Sequence, residues 1–316
     1  MRKKLSIIFA VLSLCLGGNL FADIQYEFDK YISGGVVNPC AITSDSTGNI
    51  YVGQYEGYIK KLNSDGELLL SFGEYGYGEG QFLYVSGIAV DSEGYIYITD
   101  YQNHRVLKFD SAGEFVLTFG GAGSGDGEFF YPAGIAVDDS GNIYVTEVHN
   151  HRVQKFDSEG KYLLTIGGGG SGSGEGEFSF PYGIALDNSG NIYVTDKYNH
   201  RVQKFNSSGE HILTFGGEGD GDDEFSYPDG IVVDDSGNIY VMDTNHGRVQ
   251  KFASSGEYIL TFKKYLEAEY LMIDASGYIY VSGNNSLLKF DSEGNYLSKF
   301  AEGFTSRDCA FDAADN

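Results

Sequence analysis

The sequence predicts an all-β chain folded as a β-propeller of four-stranded antiparallel blades. Three observations carry that reading: a hairpin signature recurs along the chain, its period suits four short strands, and no segment after Ala22 has helical periodicity. The clearest copies are Asp91-Ser-Glu-Gly94-Tyr-Ile-Tyr-Ile98, Asp138-Asp-Ser-Gly141-Asn-Ile-Tyr-Val145, Asp187-Asn-Ser-Gly190-Asn-Ile-Tyr-Val194 and Asp234-Asp-Ser-Gly237-Asn-Ile-Tyr-Val241. Weaker copies stand at Asp45 to Val52 and Asp274 to Val281. Their glycines, at 48, 94, 141, 190, 237 and 277, are spaced by 46, 47, 49, 47 and 40 residues, the length of one propeller blade.

Each repeat yields its strands in the same order, and the fourth shows them most clearly. Gly183 to Asp187 is a short apolar strand, a, and Asn188-Ser-Gly190 is a tight turn in which glycine accepts a positive φ. Ile192 to Thr195 is strand b, Val202 to Phe205 strand c and Ile212 to Phe215 strand d, with a second turn at Asn206 to Gly209. β-Branched and aromatic residues fill these segments. A lone four-stranded sheet cannot bury both faces, so the blades must stack into a ring. The repeats run over about 37–73, 80–121, 127–167, 176–216, 223–262 and 269–301.

Repeats two to five closely resemble the NHL family. Three carry the opening Phe-x-x-Pro-x-Gly-Ile-x-x-Asp, from Phe129, Phe178 and Phe225. Three carry the Asn-His-Arg turn, at Asn103-His104-Arg105, Asn150-His151-Arg152 and Asn199-His200-Arg201. The resemblance implies a propeller, usually of six blades. It implies no single function, since the family includes scaffolds, RNA-binding modules of larger proteins and a zinc-dependent lyase.

The ends do not close neatly. Residues 24–34 read as a strand d with nothing before it, and 307–316 as a strand a after which the chain stops. The two together make a split or incomplete further blade, so six blades are expected and seven is the alternative. Cys40 and Cys309 would lie beside strand a of adjacent blades, where a bridge is geometrically allowed. Residues 1–22 read as a signal peptide: Arg2, Lys3 and Lys4 precede the apolar run Leu5 to Leu16, too short to span a bilayer, and Ala22 offers the cleavage position. A lipid anchor on Cys15 is the weaker alternative, because Leu14 is large for that site. The mature chain, 23–316, is therefore expected to be exported, without a transmembrane segment and monomeric.

The repeats can be compared with one another. Repeats two to five close strand b on an acid, Asp100, Glu147, Asp196 or Asp243, and carry an arginine five residues later, Arg105, Arg152, Arg201 or Arg248. Repeats one and six have shorter b–c turns and lack both. Joint presence and joint absence point to an acid–guanidinium pair that pins the turn with the fork geometry lysine lacks. His104, His151 and His200 occupy equivalent turns on separate blades, so they are read as turn residues rather than convergent zinc ligands. In repeat five, His246 takes the asparagine position and Gly247 the histidine position.

Antiparallel connectivity puts the b–c turns and the d-to-a connectors on one face. The connectors are glycine-rich and acidic, and in the plain reading they are flexible linkers with solvated charge. In the functional reading, Asp126, Glu128, Glu175, Glu177, Asp220, Asp222, Asp223 and Glu224 form a rim for a protein or small cationic ligand. Weak divalent-cation binding would fall at the last four. No resident cofactor is expected. The net charge is −24, and loss of the three leading cations makes it −27, which opposes nucleic acid. No local motif of a serine hydrolase, metalloprotease or nucleotide enzyme appears. The sequence thus reads as a binding or scaffold module. The alternative is a metal-dependent hydrolase or lyase, lactonase-like or amidating-lyase-like, with its site at the channel mouth.

Overall fold

A computed structural model describes residues 39–54, 57–263, 268–283 and 286–300. The expected signal segment 1–22, the expected closing strands 24–34 and 307–316, and Cys309, the expected bridging partner of Cys40, lie outside the described residues.

Six four-stranded antiparallel sheets, each built from consecutive strands, form a six-bladed propeller. Strand a is innermost in each: Pro39–Ser44, Val85–Val90, Pro132–Val137, Pro181–Leu186, Pro228–Val233 and Ala268–Ile273. In blade 4 the others are Ile192–Asp196, Arg201–Phe205 and His211–Gly216. Strand a of blade 1 packs directly on strand a of blade 6, and Ser44 Oγ donates to the Ile273 carbonyl at 2.9 Å. That contact closes the circle at six and leaves no place for a seventh blade. Among the described residues the helical content is two three-residue 3-10 turns, Lys197–Asn199 and Thr244–His246. No helix among them is long and apolar enough to cross a membrane.

The core lies between blades. Tyr193, Val202 and Phe215 of blade 4 pack with Phe225, Ile231, Val241 and Phe252 of blade 5 in one cluster, and similar clusters join the other blades. Strand b is buried along its whole length, whereas the outermost strand d alternates between buried and exposed residues.

Two parts of the repeat signature set this spacing. The glycine of strand a lets inner strands approach: a Cβ on Gly183 would stand 2.2 Å from the Asp229 carbonyl of the next blade. Beside it Thr195 Oγ1 accepts from Gly183 N and donates to that same carbonyl at 2.8 Å, joining blade 4 to blade 5. Thr99 and Thr146 make the same link to Ala133 and Tyr182. The turn aspartate explains the rest of the signature. Asp187 Oδ1 accepts the N–H groups of Ser189 and Asn191, and Oδ2 accepts Asn191 Nδ2 and the hydroxyl of fully buried Tyr193.

These turns make an acid-sensitive contribution to stability. Burial works against their ionisation, but hydrogen bonds from Thr47, Asn49 and Tyr51 outweigh it and hold Asp45 at about 2, down from 3.8. Asp138 and Asp187 are lowered by the same balance. A carboxyl lowered in the folded state stabilises fully above its unfolded value and loses that stability as pH falls through its folded value. Urea titrations of the wild type should therefore lose stability between about pH 4 and pH 2. A variant carrying Asp45→Asn, Asp138→Asn and Asp187→Asn should start less stable and lose less over that window. Parallel curves for the two proteins would show that the turns carry no such term.

An aromatic collar as candidate functional site

Each acid at the end of strand b is fully buried and gathers donors from around the b–c turn. Asp196 Oδ1 accepts Ser179 N at 2.6 Å. Its Oδ2 accepts Arg201 Nε at 2.7 Å, Asn199 Nδ2 at 2.8 Å and Gln203 Nε2 at 3.2 Å. Asp100, Asp243 and Glu147 are held in the same way, Glu147 by Arg152 Nε, Asn150, Gln154 and the Phe130 amide.

Each arginine pairs with its acid through Nε, and only in blade 3 does a second nitrogen, Arg152 Nη2, also reach it, at 3.4 Å from Glu147 Oε2. In blade 4, Arg201 reaches the acid through Nε alone. Its Nη atoms donate to the carbonyls of Ser173, Gly174 and Glu177 on the preceding connector. Arg105, Arg152 and Arg248 reach three carbonyls of their own connectors in the same way. The connector needs this because its glycine-rich backbone has no strand partner for those carbonyls. Nor are these connectors loose linkers. Glu128, Glu177 and Glu224 turn their carboxylates onto the amides of Gly125, Gly174 and Gly221, at 2.8 to 2.9 Å. Three of the eight proposed rim side chains are thus loop-building. Asp220 lends its carbonyl to Arg248, and Asp223 sits at φ 64° with its amide on Gln250, while Asp126, Glu175 and Asp222 are exposed. Among the described residues no three His, Cys, Asp or Glu side chains group where they could hold a metal ion.

The turn histidines act on the next blade. His104 Nδ1 accepts the Tyr131 amide at 3.0 Å, His151 Nδ1 that of Phe180 at 3.1 Å, and His200 Nδ1 that of Tyr227 at 3.2 Å. Those three aromatics stand just before strand a at φ 57°, 54° and 54°, a left-handed backbone that bulky residues seldom adopt. The preceding residue's amide is the one held by the buried acid, so each strained aromatic is fixed from two blades at once. Acceptance at Nδ1 requires a neutral ring. Burial keeps His104 and His151 below the usual histidine range, with Asp100 and Asp196 acting weakly the other way.

Held in this way, the aromatics join into an arc on the connector face. Tyr84, Tyr101, Tyr131, His149, Phe180, Tyr198 and Tyr227 follow one another at ring separations of 4.5 to 5.8 Å. Tyr84 reaches past blade 1 to Tyr270, hydroxyl to hydroxyl at 3.1 Å. Tyr84, Tyr101 and Tyr182 are buried and form its floor, whereas Phe130, His149 and Tyr198 are exposed. Beyond it lies a channel of about 290 Å³, lined by strand a of all six blades, with Ile88, Ile135, Ile184 and Ile231 beside smaller residues such as Ser86 and Gly134. Blade 4 meets blade 5 in a polar sector, where Lys197 Nζ stands 2.6 Å from Asp229 Oδ1.

The collar aromatics, Lys197 and Asp229 belong to no motif that recurs in the sequence. The available signal was the place where near-identical repeats differ. In strand a, the residue after the first is Ser86, Ala133, Tyr182 or Asp229 in blades 2 to 5. After the buried acid comes Tyr101, Val148, Lys197 or Thr244.

The NHL repeat family model matches residues 82–109, 129–156, 178–205 and 225–252, one segment in each of blades 2 to 5. Among solved structures, the fold is similar to virginiamycin B lyase from Staphylococcus aureus, at 18% identity and TM-score 0.60 over 83% of each chain. A streptogramin B lyase matches at 17% and 0.63, over 86% of this chain and 85% of that one. Hydrazine synthase from Kuenenia stuttgartiensis matches at 10% and 0.57, over 84% of this chain and all of the other. At these identities the likeness is one of fold. No curated protein matches the chain in sequence.

Burial raises Asp196 and Glu147 despite their arginines, so the pair gains little over two hydrated ions. Removing one partner is another matter, because it strands the other inside. Asp196→Asn and Arg201→Lys should each cost about 3 kcal/mol. Their double mutant should cost clearly less than the two combined. Strict additivity in chemical denaturation would remove the pair from its place at the centre of the turn.

Proposed function

From a six-bladed β-propeller with NHL repeats in four of its blades, we propose an exported binding module that captures its partner on the connector face. The observation that carries this is the collar: a continuous arc of aromatic rings, partly exposed, held in a strained backbone by groups from two blades at once. Rigid aromatic surface gives contact area at little cost in ordering entropy, which suits recognition. The basic n-region and apolar run of residues 1–22 support export, and the charge of −24 favours a basic partner. The exposed acids Asp126, Glu175 and Asp222 then steer the partner toward the collar rather than hold it. The alternative is a metal-dependent hydrolase or lyase working at the same mouth, with the fold likeness to the two lyases behind it.

The test is capture from the native secretome by the tagged mature protein. Phe130→Ser with Tyr198→Ser should weaken capture by about tenfold or more while melting stays near that of the wild type. Neutralising Asp220, Asp222, Asp223 and Glu224 should slow capture and leave the retained partner the same. Capture that survives the collar variant and is lost on neutralisation would move the site to the connectors.

A further inference from the structure

The polar sector of the collar departs from the repeat more than the fold requires. In blades 1 to 4 the position of Asp229 holds Cys40, Ser86, Ala133 and Tyr182, and in blade 6 it holds Glu269, so four of the six blades close without an acid there. The position of Lys197 holds Tyr101, Val148 or Thr244 in the neighbouring repeats, so no lysine is needed either. The pair has been added to a scaffold that folds without it.

Its geometry is also incomplete. Asp229 is 1% exposed. Lys197 Nζ pairs with Oδ1 at 2.6 Å, but among the described residues Oδ1 has no hydrogen bond of ordinary geometry. Thr244 Oγ1, also buried, has none. Burial pushes the Asp229 carboxyl up, with the charge and close approach of Lys197 and the neighbouring Thr244 hydroxyl acting against it. The same ammonium stands 4.7 Å from the centre of the Tyr182 ring. Buried oxygens short of well-formed hydrogen bonds are costly, and native structures seldom keep them without a use.

We propose that this notch binds a primary ammonium group, with Lys197 as the occupant the chain itself supplies. An ammonium carries three N–H donors and no acceptor, which suits two unserved oxygens and the face of a tyrosine ring. An anionic ligand would meet Asp229 as a like charge. Lys197 sits on a 3-10 turn with its side chain 26% exposed, so a change of rotamer lets it leave. The inference rests on the collar being the recognition surface and names the chemical group taken there. A lysine side chain of a partner and a free alkyl amine share that group.

The test is calorimetric titration of the mature protein with n-butylammonium and with Nα-acetyl-lysine methylamide. The wild type should bind weakly, because Lys197 competes. Lys197→Gln, which removes the competitor, should bind about tenfold more tightly or better. Asp229→Asn should abolish binding in either background. A partner's lysine predicts that the peptide-like probe binds more tightly than butylammonium, and a free amine predicts equal affinities. The proposal is overturned if Lys197→Gln binds no more tightly than the wild type, or if Asp229→Asn leaves the affinity unchanged. Should Lys197→Gln fold poorly, the Tyr182 and Thr244 amide resonances of the wild type give a second reading on adding butylammonium. Shifts there support the site and their absence overturns it. If the notch fails while the Phe130 and Tyr198 variant still loses its partner, only the ammonium assignment falls. If amines bind and that variant keeps its partner, the collar falls and the notch stands.

Discussion

A carboxylate buried at the end of strand b is the point to which each of blades 2 to 5 is tied. It cannot stay there unpaired, because an isolated charge in a protein interior costs far more than one fold can bear. Its surroundings are therefore built to answer it. Arginine, asparagine and, in blades 3 to 5, glutamine reach it from the b–c turn, and the connector sends one amide. The arginine's remaining donors then fasten the connector carbonyls, so one charge orders two loops. In blade 5, where asparagine is replaced, His246 Nδ1 takes its place 2.9 Å from Asp243 Oδ2. The requirement survives the change of residue.

From that constraint the channel mouth follows. The acid fixes one amide before strand a, and the preceding blade's histidine fixes the next. The aromatic between them and the strand has no freedom left. Tyr84 shows the converse. Blade 1 has no such histidine, and Tyr84 alone of the four equivalent aromatics keeps an ordinary backbone. The residues of the Asn-His-Arg turn are therefore structural in their own blade, and they fix the next blade's aromatics at the channel mouth. This division of labour leaves the two variable positions around each turn free to differ. Their divergence places an ion pair, Lys197 with Asp229, between blades 4 and 5.

Much of this was legible in the sequence. Blade number, strand order, the acid–arginine pairing and the placing of b–c turns with connectors on one face all follow from period and motif. So does the reading of His104, His151 and His200 as turn residues, each now seen to hold a neighbour's amide. What the sequence hid has physical reasons. The fork of Arg201 falls on carbonyls 24 to 28 residues away, and a backbone acceptor leaves no trace in side-chain composition. Glu128, Glu177 and Glu224 looked like solvated charge because a carboxylate capping a loop amide has the same spelling as one facing water. The collar was missed because its members are scattered along the chain as one or two aromatics per repeat, in a chain rich in tyrosine and phenylalanine.

The central claim is that partner recognition takes place on the collar and nowhere else on the ring. Hydrogen–deuterium exchange of the mature protein, free and bound to its captured partner, addresses that claim most directly. The account predicts new protection at residues 129–133, 148–150, 178–183, 197–199 and 226–229, with none at the a–b turns or along the outer strands. Protection centred on the outer strands, or on the opposite mouth around Asp234 and Asp274, would contradict it.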